Sequence, residues 1–425
     1  MSKNNVSTAD SKKSEQSSSE TASQVQIYAF MILMVITGSI NTISNKLQQS
    51  MDSLGKAYSH PWFITFNLFV AEFSMQIPHW IMYFNSKNKA KKESVFLRED
   101  APITSAEYVK KKQEIPILYM AIPAMCDVFG STLMVIGVAM MAGSVFQMLR
   151  GSVILFTALA SVYFLKRILY RHHFLGIGFV VLGLVFVGLG AMIELDGKGA
   201  KTEFLGVLLV ILGQTFTAAQ FVVEEKLMDV YTCHPIKLVG FEGMWASSVY
   251  LVLMIIFYFS PCPFSNDSPY EKYICVNNDQ DKWVIEDFIF AFKQLGANGW
   301  ILFNMILFTF SIALFNYVGI SVTKYVSSAA RAVLDSIRTV VVWLFFLTMP
   351  FVPEKSKEDF SWLQLGGFIF LIIGTFLYTE VVTLPCFGLD QYTMAALKQK
   401  ETEDGALKAN KYEDLVTQDE VERAD

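Results

Sequence analysis

The chain has 425 residues, of which 53 % are hydrophobic and 17 % charged, and its mean hydropathy is +0.40. That balance excludes an ordinary soluble globular protein and places the chain among membrane proteins. The net charge of −5 owes most of its acidic excess to the C-terminal end; no basic stripe with interleaved aromatics is present, so nucleic acid is not an expected partner.

Residues 1–24 are rich in Ser, Lys, Asn and Gln. They carry too little apolar surface to offset chain entropy and read as a disordered tail. The polar stretch is too long for a secretory leader and lacks a cleavage pattern, so the first apolar run is expected to stay as an anchor. A membrane-crossing helix needs about 20 mostly apolar residues. Ten segments qualify: 25–45, 62–84, 115–141, 144–165, 174–193, 204–223, 238–259, 300–322, 328–350 and 360–379. An amphipathic stretch at 287–295 leads into the eighth. From 117 to 165 the hydrophobicity barely breaks, which is too long for one helix at 1.5 Å per residue. A tight reversal is therefore expected at "MAGS", residues 141–144. Residues 381–425 form a second polar tail.

Lys and Arg set the orientation. Of the 34 such residues, 22 fall on the side of the N-terminus, 9 on the other side and 3 inside spans. This bias puts both tails in the cytosol. The segment 260–299 then faces a lumen or the exterior, where a disulfide between Cys262 and Cys275 is expected, two free thiols being the other reading. The same segment holds the glycosylation pattern Asn266-Asp267-Ser268, followed by Pro269; Asn5-Val6-Ser7 fits the pattern but faces the cytosol.

Two pairs of segments look alike. "SNKLQQS" with His60-Pro61 recurs as "EEKLMDV" with His234-Pro235, and "GSVFQMLRGSVI" lies against "SSAARAVLDSIR". Together they suggest two five-helix halves, 25–193 and 204–380. Five is odd, so the second half crosses in the opposite sense, and inverted repeats are a transporter signature. The fold class expected is an all-α membrane protein of ten transmembrane helices in two inverted repeats.

Ionisable residues inside a span cost about 2.5–3.5 kcal/mol each on insertion scales, so they tend to face a cavity or a partner. Here they are Glu72, Asp127, Arg150, Glu242, Arg331, Asp335 and Arg338. Ser328, Arg331, Asp335 and Arg338 make one stripe on the ninth segment, with Arg331 and Asp335 spaced to pair at i,i+4. Gln147, Arg150 and Thr157 share a face of the fourth, and Thr37, Asn41 and Ser44 a face of the first. One reading is a substrate pocket lined by Asn41, Gln147, Arg150, Arg331, Asp335 and Arg338, suited to an anionic or zwitterionic metabolite. The other is that the arginines pair internally with Asp335, Asp127 or Glu242 and hold helices together. Glu72, Asp127 and Glu242 are the candidates for proton coupling, a structural hydrogen-bonded carboxyl being the alternative. No GxSxG, HExxH, P-loop or Cys/His metal spacing occurs, so neither an enzyme nor a metal or cofactor is expected. His172 and His173 read as polar flanks of a span, and His60 and His234 simply precede prolines.

"TGSINTISNK" (37–46), "HPWFITFNLFVAEF" (60–73), "PAMCDVFGSTLM" (123–134) and "FQMLRGSVILFTALASVYFL" (146–165) resemble solute carrier family 35, F subfamily, within the drug/metabolite transporter superfamily. The resemblance covers most of the first half and, more thinly, the second. It implies ten helices, alternating access, and a carrier of an internal membrane, lysosomal or endosomal, with Golgi or plasma membrane as alternatives. "YEDL" fits a tyrosine-based sorting signal through Tyr412 and Leu415, with a sorting adaptor as its partner. Cys386, just past the last span, is a palmitoylation candidate. The function expected is secondary transport of a small organic solute, proton-coupled or by exchange. The other partners are the lipid bilayer and a second copy of the chain as a homodimer. The alternatives are a receptor or scaffold with a carrier fold, and a carrier of peptides, amino acids or drugs like the chloroquine resistance transporters.

Overall fold

The computed structural model describes residues 4–96, 114–139, 149–195, 204–231, 233–263, 274–277, 283–349 and 362–378, with Phe146, Phe360 and parts of 380–400. The expected reversal at 141–144, Gln147, the Asn266 sequon, Cys386, Tyr412 and Leu415 lie outside the described residues.

The protein is a membrane protein, mainly helical among the described residues. Helix α1 (Asn4–Gln49) is followed by a β1–β2 hairpin (Asp52–Ser53 and Lys56–Ala57), α2 (Pro61–Ser74) and α3 (Gln76–Phe96). A 3-10 turn (Ile117–Met120) leads into α4 (Ala121–Ala139). Helices α5 (Val153–Leu165), α6 (Arg171–Leu195), α7 (Phe204–Val230) and α8 (Pro235–Phe259) come next. Strands β3 (Val276–Asn277) and β4 (Trp283–Val284) precede α9 (Phe288–Ala297), α10 (Gly299–Tyr325), α11 (Ser328–Thr348) and α12 (Trp362–Tyr378). Among the described residues, five stretches are long and apolar enough to cross a bilayer: Gln24–Gln49, Ile117–Gly137, Leu205–Val230, Pro235–Phe259 and Gly299–Tyr325.

Four boundaries differ from expectation, each for a local reason. Helix α1 starts at Asn4 and so reaches into the expected tail; neither Pro nor Gly occurs before Gly38 to stop a helix nucleated by the apolar run. The second segment divides at Met75, because Pro78 has no N–H and its ring crowds the carbonyl four residues back. The fourth turns at Gly151–Ser152. There Ser152 donates its hydroxyl and its N–H to the Leu149 carbonyl, at 2.6 and 3.0 Å. Gly151 packs closely on α6: a Cβ there would lie 2.2 Å from Leu184 Cδ2, so that side chain would have to shift. The sixth helix continues past 223 to Val230, carrying Glu224 and Glu225 into the bundle.

Glycines let helices meet backbone to backbone. On α6 and α12, a Cβ at Gly176 would lie 2.8 Å from the Gly374 carbonyl, and one at Gly183 would lie 2.6 Å from that of Gly367. At Gly243 on α8 a Cβ would lie 2.2 Å from the Phe73 nitrogen of α2. A central core of Met34, Phe69, Tyr250, Phe308 and Phe315 joins α1, α2, α8 and α10.

Both strand pairs belong to a cap at one end of the bundle. Cys262 and Cys275 are disulfide-bonded, Cα–Cα 5.9 Å, and Pro261 bridges to Val284. The β1–β2 turn, Leu54-Gly55, has positive φ at both residues, as a two-residue type I′ hairpin needs. His60 is the hub of the cap, in contrast to the passive role expected of it. It is fully buried, with Nδ1 2.6 Å from Glu286 Oε1 and Nε2 2.9 Å from Gln294 Oε1. Gln294 Nε2 donates to the Ser53 carbonyl at 2.9 Å, which fixes its Oε1 as the atom facing His60. Glu286 also accepts from the Phe63 N–H at 3.0 Å, capping the start of α2.

Candidate functional site

The charges read from the sequence gather into two groups along α11. In the first, Arg338 Nε donates to Asp335 Oδ1 at 3.0 Å, and Arg150 Nη2 lies 3.6 Å from Asp335 Oδ2. Two guanidinium groups thus share one carboxylate and leave a local excess of positive charge. Arg338 lies over the Phe315 ring, 4.9 Å from its centroid. A Cβ at Gly38 on α1 would meet Phe315 at 2.8 Å and Arg338 Cδ at 3.0 Å, so α1 presses directly on this group. Asn41, one turn on along α1, is buried, and its Nδ2 has no partner. Arg150 keeps 20 % of its side chain accessible. It sits just before the Gly151–Ser152 turn.

The second group is acidic. Arg331 does not pair with Asp335, as the i,i+4 spacing suggests. It donates from Nη1 to Glu224 Oε2 on α7 and lies 3.9 Å from the centroid of the Phe221 ring. The longer α7 provides that partner, and Asp335 turns to Arg338 and Arg150 instead. Glu225, beside it, accepts from Arg167 and from the Ser328 N–H, the latter at 2.8 Å, and so caps α11. Glu72 accepts from Asn316 Nδ2. Asp127 accepts from Ser131 Oγ at 2.8 Å and from Gln220 Nε2 at 3.4 Å. Gly243 brings α2 and α8 so close that a Cβ there would lie 2.6 Å from Glu72 Cβ, placing Glu242 and Glu72 side by side. Glu72, Asp127, Glu224 and Glu242 interact electrostatically with one another and with Arg331. Arg331 thus bonds one carboxyl group and bears electrostatically on three others. Glu224 and Glu225 escaped the sequence reading because "EEK" ends an apolar run and resembles its polar flank; its signal was continued helical register with the run before it.

His172 is also more than a flank. It is buried, and its Nε2 lies 3.1 Å from Glu380 Oε1, tying the start of α6 to the segment after α12. With His173 the three offer possible metal ligand atoms within 4.8 Å of one another. His173 Nδ1, however, accepts from the Tyr170 N–H at 3.3 Å.

Solute carrier family 35 member F6 of Rattus norvegicus is 34 % identical over 376 residues, covering 87 % of this chain and 90 % of its own. The Homo sapiens protein of that name is 35 % identical over 355 residues, covering 81 % and 86 %. The chain belongs to solute carrier family 35. An uncharacterized protein of Schizosaccharomyces pombe is 30 % identical over 356 residues, covering 83 % of this chain and 98 % of its own. No protein-family model matches the chain. A solved crystal structure covers 84 % of this family member and 97 % of its own chain at 13 % identity and a TM-score of 0.44. The family resemblance carried by the four quoted motifs is thus shared over most of the chain's length.

Proposed function

We propose that this family 35 member is a secondary carrier that moves a small organic solute across an internal membrane by alternating access. In this reading the ten apolar segments form two inverted halves, 25–193 and 204–380, with the tails on the cytosolic side. The observation that carries it is the Arg150–Asp335–Arg338 group. It joins the first half to the second, holds one uncompensated positive charge, and packs against α1 at Gly38, one turn from Asn41, whose Nδ2 has no partner. Such a group suits a solute with a carboxylate or phosphate, which would take the place of Asp335 on one or both guanidinium groups. Arg331 belongs to the coupling machinery rather than to the solute pocket. Glu72, Asp127 and Glu242 are the groups through which a proton gradient would act. Tyr412 and Leu415 support an endolysosomal address.

The test is uptake into proteoliposomes over a panel of anionic and zwitterionic metabolites, with and without a pH gradient. Arg150→Ala is expected to lower uptake of any accepted solute at least tenfold with unchanged thermal stability. Loss of stability with full residual uptake per folded molecule would make Arg150 a structural residue. No flux for any solute, with no solute-induced thermal shift, would favour a non-transporting scaffold.

A further inference from the structure

The Glu224–Arg331 pair closes one end of the bundle. The first two turns of α11, Ser328–Leu334, are buried throughout, whereas beyond Asp335 the helix alternates between buried and accessible positions. Three contacts seal this end. Arg331, 2 % exposed, meets Glu224, 0 % exposed. Glu225 holds Arg167 and the Ser328 N–H. Ser161 Oγ of α5 lies 3.3 Å from Ser328 Oγ. The Lys and Arg distribution assigns this end to the cytosol.

The seal is incompletely satisfied. Glu224 Oε1, Glu242 Oε1 and Arg331 Nε are buried and have no hydrogen-bond partner. A buried carboxylate oxygen without a donor is the atom that gains most from receiving a proton. Every helix packed here presents a group that bears on it. Glu72 comes from α2, Asp127 and the Cys126 thiol from α4, Glu242 from α8, and Arg331 from α11 with Asp335 one turn on. Lys324 of α10 is bonded to the Cys233 carbonyl at 2.9 Å, and Arg167 after α5 to Glu225. Four carboxyl groups beside one guanidinium cannot all carry charge without a compensating cation.

We infer that Glu224 is the proton-accepting residue that releases the cytosolic end of the carrier, with Arg331 as the group it lets go. A proton from the solution, passed among Glu72, Asp127 and Glu242, forms an O–H bond on Glu224. The charge-assisted Arg331–Glu224 contact is then lost, while Arg331 keeps its own proton and charge. The seam between α7 and α11 can then part. This rests on the carrier reading for its purpose, but its test needs no solute.

The experiment uses the full chain in lipid nanodiscs with Cys126, Cys233 and Cys386 replaced by Ala. Nitroxides are attached to cysteines at Val230, at the end of α7, and Tyr325, three residues before α11, both exposed and on opposite sides of the seam. Pulsed electron spin resonance reads the distance between them. Acidification from pH 8 to pH 5 is expected to raise the ratio of long to short distances at least tenfold. Glu224→Gln is expected to show the long distance at both pH values. Should that variant misfold, the neutral pair Glu224→Gln/Arg331→Gln is expected to fold and to be equally insensitive to pH. A distribution that ignores pH in the parent, or a pH response that survives in either variant, overturns the assignment. Solute flux without the pH response would keep the carrier and remove the latch; the pH response without flux would do the reverse.

Discussion

Replacing His60 by Leu tests the cap of the bundle. The imidazole is fully buried and held at both nitrogens, 2.6 Å from Glu286 and 2.9 Å from Gln294. Leucine fills most of its space and can replace neither hydrogen bond. Removing one partner of a buried hydrogen-bonded pair strands the other, at about 1–3 kcal/mol for a neutral group and more for a carboxylate. Glu286 keeps the N–H groups of Phe63 and Asp287, at 3.0 and 2.9 Å, so a cost of about 3 kcal/mol is expected. With Glu286→Gln already present, an unsatisfied neutral amide replaces the stranded charge, and the same substitution should cost about 1–2 kcal/mol. The double-mutant cycle then has a coupling of about 1–2 kcal/mol. Unfolding in mixed micelles of increasing SDS fraction, followed by circular dichroism, measures all four corners. A single-variant cost below about 1 kcal/mol, or strict additivity, would refute the buried-pair account.

Two further outcomes follow from packing and burial. Gly243→Ala puts a Cβ within 2.6 Å of Glu72 Cβ and 2.2 Å of the Phe73 nitrogen; backbone atoms cannot move aside as side-chain ends do. It should destabilise the protein by about 1–3 kcal/mol and alter any proton-driven flux, as Gly178→Ala, with nothing within 4 Å, should not. Burial pushes the Cys233 thiol up to about 11. The thiol is then protonated at neutral pH and a poor nucleophile, so maleimide at pH 7 should leave Cys233 unmodified in the folded protein and modify it after denaturation. Rapid modification of the folded protein would contradict the burial.

What could be read from the sequence divides along a physical line. An apolar segment encodes its helix locally, and five of the segments coincide with helices long enough to cross a bilayer among the described residues. Cys262 and Cys275 were legible as a candidate pair, with two free thiols as the other reading, and the structure bonds them. Arg150, Asp335 and Arg338 were legible as residues too costly to bury without purpose. Their partners were not. Which face of α7 meets α11 depends on the relative rotation and height of two helices far apart in sequence, and no periodicity within either carries that. For this reason the i,i+4 pairing of Arg331 with Asp335 was the natural local reading, and Glu224, 107 residues away, was invisible. His60 was hidden in the same way, since both its partners lie more than 220 residues along the chain.

The pairing suggested by spacing alone retains a use in the proposed cycle. Arg331, Asp335 and Arg338 lie on one stripe spanning about 10 Å of helix, and the acidic group and the basic group meet along it. Once Glu224 takes a proton, Arg331 loses its partner, and the carboxylate nearest to it on its own helix is Asp335, to which it is already electrostatically linked. If Asp335 turns to Arg331, Arg150 is left without its counter-ion and becomes the free guanidinium that an anionic solute needs. Proton uptake at one end of α11 and solute binding at the other would then be two consequences of one carboxylate changing partners. This makes Asp335, rather than either arginine, the residue that joins them. Asp335→Asn should therefore leave solute binding at Arg150 in place and remove its dependence on pH, an outcome that isothermal titration of an accepted solute at pH 5 and pH 8 would check.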